Sequence, residues 1–372
     1  MTMPHIKARI SLACSIAGMP TRSSRAPARW MLAAALLLAS RAPLAAQTHR
    51  LAPPSPPPAQ WPGLIGEYDA PLGARLVRED SGRLELADTM GHVAAMHELS
   101  TNRFSVDRDA AQRILGRAGS AVTFTRDASG RATAMLISGA RMARRNIEPR
   151  PGTNQLRIKP LRPVAELRAE ALKATPPHET GTFRPADLVE LTRLDPTIKL
   201  EIRYATTNNF LGTRFYDQAR AFLQRPAAEA VVRANAALHR LGYGILVHDA
   251  YRPWYVTKMF WDATPPAKRW LVADPAHGSR HNRGAAVDLT LYDLKTDRPV
   301  SMPSTYDEST DRAFADYPGG TSLQRWHRAL LRREMEAQGF TVNPQEWWHF
   351  DYKDWQSYAI GNVPFERIAR RR

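Results

Sequence analysis

Residues 286 to 291 alternate between large apolar and smaller or polar side chains. The apolar members are Val287, Leu289 and Leu291, and they alternate with Ala286, Asp288 and Thr290. This two-residue period predicts a strand that places Asp288 on one face. His281 precedes the strand in a loop where Gly284 permits a tight turn. The six residues between His281 and Asp288 leave enough chain for both side chains to reach one point.

A second polar cluster, Glu-Trp-Trp-His at residues 346 to 349, follows about sixty residues later. Together, His281, His349 and Asp288 form a donor set that suits zinc, and three protein ligands leave a fourth position for water. Glu346 stands beside His349 and is placed to take a proton from that water. A spacing of three residues would put Glu346 and His349 on opposite faces of a straight strand. We therefore expect a turn or kink there, with the tryptophans packed behind it.

Helical patterns surround these segments. Apolar residues at three- and four-residue spacing predict a helix that begins at Pro226 and ends near Gly242, and a second helix from about Ser322 to Gln338. Residues 244 to 248 predict a buried strand between them. A shorter helix is expected at about residues 164 to 174.

The length of 372 residues is sufficient for two domains. Residues 47 to 60 form a Pro-rich linker. Short alternating segments separated by turn residues over 61 to 140 predict a small antiparallel β domain of unknown role. Residues 141 to 183 are rich in Arg and Pro and are expected to be a basic connector, and a second fold begins at residue 184.

The first 46 residues have the pattern of a secretory signal peptide. An apolar run at residues 30 to 38 follows several basic residues and is shorter than the about 20 residues that span a bilayer. We expect secretion across the inner membrane and a periplasmic location, with a permanent membrane anchor as the alternative. Cys14, the only cysteine, lies in this leader, so the processed protein would have neither thiol nor disulfide chemistry.

Five segments in the same order resemble the VanX-type D-alanyl-D-alanine dipeptidases. They are residues 204 to 212, 248 to 253, 279 to 291, 302 to 307 and 346 to 349. These enzymes are zinc peptidases related to the D,D-carboxypeptidases and to the hedgehog-like fold. The resemblance covers roughly residues 184 to 365. It implies that residues 184 to 372 form an α+β domain with a central antiparallel sheet flanked by helices.

The resemblance also implies roles for single residues. His281, Asp288 and His349 are expected to bind one zinc ion per catalytic domain, and Glu346 is expected to be the catalytic base. Arg252 would hold the substrate carbonyl as negative charge develops on its oxygen.

Recognition of both ends of a dipeptide requires an anion for the ammonium group and donors for the carboxylate. By their place in the resemblance, Asp307 and Ser279 are expected to bind these two ends. Asp249 is expected to orient Arg252 or to contact the substrate, and Tyr204 is expected to line the pocket.

Two positions depart from the family pattern. Asn282 stands where a small serine is common, and the sequence assigns no chemical consequence to this difference. The loop after Gly212 does not match the pattern, so the role of Tyr216 in the pocket stays open.

The function expected from these residues is zinc-dependent hydrolysis of D-alanyl-D-alanine to two molecules of D-alanine. One alternative is a D,D-carboxypeptidase that acts on the stem peptides of peptidoglycan. Another is a non-catalytic cell-wall binding protein, although a pure binder has no need of Glu346 or Arg252. The sequence does not define the oligomeric state.

The net charge of +16 does not predict nucleic-acid binding. Residues 184 to 372 contain 27 Lys and Arg against 22 Asp and Glu, so the excess lies mainly in the leader and the connector. It is not gathered with aromatic residues in one groove. Weak contact between the basic connector and anionic polymers of the cell envelope is expected instead.

Overall fold

The N-terminal half forms one antiparallel sheet whose eight strands are neighbours in sequence order. The computed structural model describes residues 52–70, 73–115, 121–147 and 156–370, so the leader expected at residues 1–46 lies outside the described residues. The strands are β1 (Gly66–Tyr68), β2 (Arg75–Asp80), β3 (Arg83–Asp88), β4 (Val93–Ser100), β5 (Arg103–Val106), β6 (Ala121–Arg126), β7 (Ala132–Ile137) and β8 (Ala140–Ala143).

Alternation explains which face of this sheet is buried. In β6, Val122 and Phe124 point into a hydrophobic cluster while their neighbours are more exposed. The same cluster includes Tyr68 and Phe104, and helix α1 (Arg108–Leu115) contributes Ile114 to it. The sheet therefore has a core of its own.

The C-terminal half is a mixture of helices and strands around a second sheet. Its helices are α2 (Val164–Lys173), α3 (Leu191–Leu194), α4 (Arg225–His239), α5 (Trp254–Ala263), α6 (Ser322–Glu336) and α7 (Phe365–Arg370). Its strands are β9 (Leu188–Glu190), β10 (Lys199–Leu200), β11 (Phe222–Gln224), β12 (Tyr243–Asp249), β13 (Ala286–Asp293), β14 (Arg298–Pro299), β15 (Phe340–Asn343) and β16 (Glu346–Tyr352). The order in the sheet is β10-β12-β13-β16-β15, β14 pairs with β13, and β9 and β11 pair separately.

The predicted helices and the buried strand of this half are confirmed. Helix α4 ends at His239, slightly before the predicted end, and Gly242 follows with a φ of 91°, a conformation that ends helices. Helix α6 begins at Ser322 as predicted. The continuously apolar segment forms β12, which is buried along its whole length.

The segment expected to be a basic connector takes part in the core. Helix α2 lies within it and buries Leu167 and Ala171 against the C-terminal half. Residues 52–372 form one compact unit, so the expected domain boundaries stay a prediction. No helix in the part of the chain that the structure describes is long and apolar enough to cross a membrane.

The register of the second sheet positions the polar residues. Asp288 on β13 lies directly opposite His349 on β16 and opposite Asp249 on β12. Directly opposed side chains on one face of an antiparallel pair have Cβ atoms about 5 Å apart. Three adjacent strands thus bring three polar groups to one place.

Candidate active site

Three buried side chains converge at the centre of the second sheet. His281 Nε2 lies 3.1 Å from His349 Nδ1 and 3.4 Å from Asp288 Oδ1, and the last two atoms are 3.0 Å apart. Ligands at zinc bonds of about 2.0 Å occupy the corners of a tetrahedron with edges of about 3.3 Å. The three atoms therefore have the spacing of one face of such a tetrahedron, and this group fits a metal ion.

The outer hydrogen bonds of the two imidazoles determine their tautomers. His281 Nδ1 donates to the carbonyl oxygen of Ala250 at 2.8 Å, and His349 Nε2 donates to Asp351 Oδ1 at 3.0 Å. Because both partners only accept, the outer nitrogens carry the hydrogens and the inner nitrogens present lone pairs. Two lone pairs and the carboxylate of Asp288 then face one another. They repel unless a cation lies between them, which is what a divalent metal provides.

The pKa shifts at this cluster show the same demand for positive charge. Burial raises the pKa of Asp288, but His281 and His349 outweigh it and hold that pKa far below its usual range. Burial lowers the pKa of His349, but hydrogen bonds to Asp288 and Asp351 raise it to about 10. Carboxylates that stabilise a protonated imidazole so strongly stabilise a metal cation in the same way.

Glu346 approaches the cluster because its strand is irregular. The register of β16 against β15 shifts after the pairing of Glu346 with Asn343, so residues 347–349 bulge out of the ladder. This bulge supplies the kink that the three-residue spacing requires. It brings Glu346 Oε2 to 3.8 Å from His349 Nδ1, while Asn343 Nδ2 donates to the same oxygen at 3.0 Å.

The surroundings of Glu346 suit proton transfer. The side chain of Glu346 is 42% exposed. Desolvation of its carboxylate by the surrounding residues nonetheless raises the pKa of Glu346, and the charge of Asp288 raises it further. A carboxylate with a raised pKa holds an abstracted proton more readily and releases it later. Its position and its pKa therefore both agree with the expected role as base.

Arg252 is buried in the same cleft and is held in a fixed orientation. Its Nε and Nη2 donate to Asp249 Oδ2 at 3.0 and 2.8 Å, and its guanidinium packs over the rings of Tyr204 and Phe260. Asp249 also accepts a hydrogen bond from the hydroxyl of Tyr216 at 2.8 Å. Neither Asp249 nor Tyr216 is one of the described residues that line the cleft. Of the two roles expected for Asp249, the geometry fits orientation of Arg252 rather than substrate contact.

Asp307 presents a carboxylate to the cleft from an irregular segment. Its φ of 60° is left-handed, a conformation that Asp tolerates better than most residues. The hydroxyl of Tyr204 donates to its two oxygens at 3.2 and 3.1 Å. Burial, followed by the charges of Asp288 and Glu346, raises the pKa of Asp307 to about 8. A cation that enters the cleft would stabilise its ionised form.

Ser279 lies at the start of a short 3-10 turn, Arg280–Arg283, and lines the cleft. Its Oγ accepts a hydrogen bond from the backbone N–H of His281 at 3.2 Å. This bond uses a lone pair and leaves the hydroxyl hydrogen for an acceptor in the cleft.

A cleft of about 180 Å³ joins these side chains. It is lined by Tyr204, Arg252, Ser279, His281, Asp288, Asp307, Glu346 and His349. All the residues expected in the site, apart from Asp249, therefore border one small space.

Three contributors to the site are not among the residues expected from the sequence. The hydroxyl of Tyr306 donates to Asp288 Oδ2 at 3.0 Å, and Asp351 accepts from His349. The amide of Asn282 donates to the carbonyl oxygen of Arg252 at 2.7 Å. A signal existed for Asp351, which follows His349 by two residues and so shares its face of a strand. Tyr306 lies in the resembling segment 302 to 307 but outside any periodic element, and the resemblance implied no role for it.

Comparison with known proteins covers this half of the chain. A family model described as D-Ala-D-Ala dipeptidase, peptidase family M15, matches residues 184–365. The D-alanyl-D-alanine dipeptidase of Escherichia coli K12 is 33% identical over 174 residues, which cover 47% of this chain and 89% of that protein. The D-alanyl-D-alanine dipeptidase of Enterococcus faecalis V583 is 32% identical over 175 residues, covering 42% and 87%.

A third relative, from Streptomyces coelicolor, carries the same name and is 30% identical over 186 residues, covering 45% of this chain and 92% of its own length. These matches span most of each relative, and the family model includes all five resembling segments. The chain belongs to the D-Ala-D-Ala dipeptidase family of M15 peptidases, and it is an enzyme of the metallopeptidase type.

Proposed function

We propose that this protein hydrolyses D-alanyl-D-alanine to two molecules of D-alanine, with one zinc ion held by His281, Asp288 and His349. The names of the relatives support the substrate. The observation that carries the mechanism is the convergence of three ligand atoms with Glu346, whose Oε2 lies 3.8 Å from His349 Nδ1. Zinc bound by this group would polarise a carbonyl and lower the pKa of a water toward about 7.

Glu346 moves the protons of the reaction. It accepts a proton from the attacking water as the water oxygen bonds to the carbonyl carbon of the substrate. It then returns that proton to the amide nitrogen as the carbon–nitrogen bond breaks, which completes one acid–base cycle. The side-chain amide of Asn343 donates a hydrogen bond to Glu346 Oε2 and holds the carboxylate in place during both proton transfers.

Arg252 stabilises the negative charge that develops on the carbonyl oxygen. Asp249 accepts hydrogen bonds from Nε and Nη2 of the guanidinium, so Nη1 has no hydrogen-bond partner among the described residues. Because the group is buried and already oriented, its donation costs little reorganisation during the reaction.

The two ends of the substrate are held by opposite chemistry. The carboxylate of Asp307 binds the ammonium group, and the hydroxyl of Ser279 donates to the carboxylate. The cleft volume of about 180 Å³ is below the roughly 300 to 1,000 Å³ of sites for drug-sized ligands. This small volume and the acidic group at the amino end favour a dipeptide over a longer stem peptide.

The variant Glu346→Gln tests the proposal. We expect kcat for D-alanyl-D-alanine to fall by roughly 10² to 10⁴ while zinc content stays unchanged, because Glu346 is not one of the three ligands. Glu336→Gln is the matched control, since Glu336 pairs only with Arg332 on the surface of α6. Wild-type turnover in Glu346→Gln would show that another group is the base.

A substrate panel separates this function from the D,D-carboxypeptidase alternative. Release of amino acids is measured from L- and D-dipeptides and from a pentapeptide ending in D-Ala-D-Ala, with and without a chelator. The proposal predicts chelator-sensitive hydrolysis with preference for the free D-dipeptide. Preference for the pentapeptide would instead identify a carboxypeptidase.

We also propose that the protein is exported and acts in the periplasm. The basic residues and the apolar run at the N-terminus support this location. Fractionation of cells that express the full chain should place the processed protein in the periplasmic fraction. Recovery of unprocessed protein from the cytoplasm would contradict it.

A further inference from the structure

We propose that the N-terminal sheet positions Asp307 by anchoring residues 301–321, a mostly irregular segment called the strap below. This inference rests on the function proposed above, in which Asp307 holds the substrate ammonium. The match to the dipeptidase family covers residues 184–365 and thus includes the strap. Strands β1 to β8 lie outside that match. The support that they give to the strap therefore comes from a part of the chain that the family match does not cover.

The first anchor is the buried carboxylate of Glu79, on β2. Its Oε2 accepts from the backbone N–H of Ser322 at 2.7 Å and its Oε1 accepts from the Ser322 hydroxyl at 3.1 Å. Ser322 is the first residue of α6, where the strap ends, and a negative charge at a helix N-terminus is favourable. The backbone N–H of Glu79 donates to the carbonyl of Gly320 at 3.1 Å. Arg325 adds an ion pair to Asp80 at 2.6 Å.

The second anchor is the side chain of Tyr317. Its hydroxyl donates to Glu67 Oε1 at 2.8 Å, and its ring packs against Leu76 and Ala87 of the N-terminal sheet. Its carbonyl oxygen accepts from Arg328 Nη1 of α6 at 2.9 Å. Tyr317 therefore joins the strap to both halves of the molecule at one point.

Arg312, in the part of the strap after Asp307, contacts residues on either side of Asp307. Its Nη2 donates to the carbonyl of Pro303 at 2.6 Å, and its Nε lies 3.7 Å from Glu308 Oε1. Pro303 and Glu308 flank Asp307 on either side. Displacement of strap residues 308 to 321 would therefore displace the loop that holds the Asp307 carboxylate.

A cavity of about 670 Å³ lies between the strap and the N-terminal sheet. Strap residues 302 to 306 line one side of it, and Ile65 and Glu67 are on the sheet side. The same part of the strap contacts the C-terminal half: Ser304 Oγ accepts a hydrogen bond from the indole N–H of Trp347, and the hydroxyl of Tyr306 donates to Asp288 Oδ2. The part of the strap before Asp307 is thus held by the C-terminal half alone among these contacts. The part after it is held by that half as well, through Ala315 N–H to the carbonyl of Pro344 at 3.0 Å, but it also has the anchors to the N-terminal sheet.

The variant Glu79→Gln weakens the first anchor, because a neutral amide offers a single acceptor where the carboxylate has two. We expect KM for D-alanyl-D-alanine to rise about tenfold while kcat changes less than about threefold, as for loss of ground-state binding. The ratio of kcat/KM for the free dipeptide to that for N-acetyl-D-alanyl-D-alanine should fall about tenfold. The acetylated substrate has no ammonium group, so general damage to the enzyme would lower both values alike.

Hydrogen exchange gives a second readout that does not depend on activity. Backbone amides of residues 307 to 316 should exchange about tenfold faster in Glu79→Gln than in the wild type. Asp88→Asn is the matched control: Asp88 is a buried carboxylate in the same sheet, and its hydrogen bonds go to Met90 and His92 in the turn between β3 and β4. It should leave strap exchange and KM at wild-type values.

If Glu79→Gln does not fold, Tyr317→Phe removes the hydroxyl that donates to Glu67 and should raise KM about threefold. The inference is overturned if strap exchange is unchanged, if it rises without a change in KM, or if Asp88→Asn has an equal effect. A wild-type enzyme that does not hydrolyse D-alanyl-D-alanine would refute the proposed function. The exchange comparison would still decide whether the sheet anchors the strap.

Discussion

The carboxylates of the cleft have pKa values that shift in opposite directions. Histidines hold the pKa of Asp288 far below its usual range despite burial, whereas burial and neighbouring charges raise the pKa of Asp307 to about 8 and that of Glu346 above its usual value. Groups of one chemical type that are shifted apart in this way have different tasks. Asp288 is suited to bind a cation permanently, Glu346 to exchange a proton, and Asp307 to ionise when a cation arrives.

The raised pKa of Asp307 predicts a pH dependence. Below pH 8 its carboxyl is mostly neutral, while a substrate α-amino group with a pKa of about 8 becomes uncharged above that value. The productive pair needs an ionised Asp307 and a protonated amine. We therefore expect kcat/KM for D-alanyl-D-alanine to rise toward pH 8 and to fall above it, in a steady-state pH profile.

Asp307→Asn provides the control for this profile. The variant cannot ionise, so kcat/KM for the free dipeptide should fall by roughly tenfold to a hundredfold, as expected for loss of a charge-assisted hydrogen bond. The rising limb should move to lower pH, where the remaining groups titrate. An unchanged limb in this variant would assign the titration to another residue.

Local irregularities in β12 and β16 bring polar residues of the candidate active site together. The register of β12 shifts between Val247 and Asp249, which turns Asp249 toward Arg252, and the bulge in β16 brings Glu346 to the ligands. The sequence predicted the second irregularity, because the three-residue spacing of Glu346 and His349 required one. It gave no comparable signal for the first, since His248 and Asp249 continue an apolar strand without a break.

The short turn that carries His281 depends on Asn282. Its amide accepts from Ser279 N–H at 2.7 Å and donates to the carbonyl of Arg252 at 2.7 Å and to Thr257 Oγ1 at 2.8 Å, with no exposed surface. The departure from a small serine thus has a structural consequence that the sequence alone did not indicate. It ties the loop that carries His281 to the turn that carries Arg252.

Asn282→Ala should destabilise the fold. The substitution removes the partners of the partly buried Ser279 N–H and of the buried Arg252 carbonyl, and the buried group alone should cost about 1 to 3 kcal/mol in the free energy of unfolding. Chemical denaturation of the metal-free protein measures this loss. Gln338→Ala is the matched control, because its amide bonds Arg233 on the surface and its removal should change stability by less than about 0.5 kcal/mol. Equal stability of both variants would contradict the assigned role of Asn282.

The three residues of the candidate metal site were recognisable in the sequence, but the groups that contact them were mostly not. His281, Asp288 and His349 stand in recognisable segments, and the structure places their donor atoms together. Tyr306 and Ala250 support them through tertiary contacts that no local pattern encodes. Propensity and periodicity describe elements, whereas these partners are set by how distant elements pack.

The joining of the two halves could not be predicted at all. Hairpin patterns indicate the N-terminal strands, but the bonds of Glu79 to Ser322 link residues 243 positions apart. A buried carboxylate in an otherwise ordinary strand carries no signal for its partner. The same packing makes residues 52–372 one compact unit.

Zinc binding should stabilise this unit as a whole. A ligand at 100 times its dissociation constant adds about 2.7 kcal/mol when it binds only the folded state. We expect thermal unfolding of the chelator-treated protein to shift upward by a few degrees when zinc is added. Asp288→Asn, which weakens one ligand, should reduce that shift. A wild-type protein with the same Tm in zinc and in chelator would contradict the assignment of these ligands.

The most direct test of the proposed mechanism is a zinc titration of the chelator-stripped full-length protein, with metal content and D-alanine release measured on the same samples. We predict that activity on D-alanyl-D-alanine is absent without metal and rises in proportion to bound zinc until one ion is bound per chain. Full activity in protein that contains no divalent metal would contradict it.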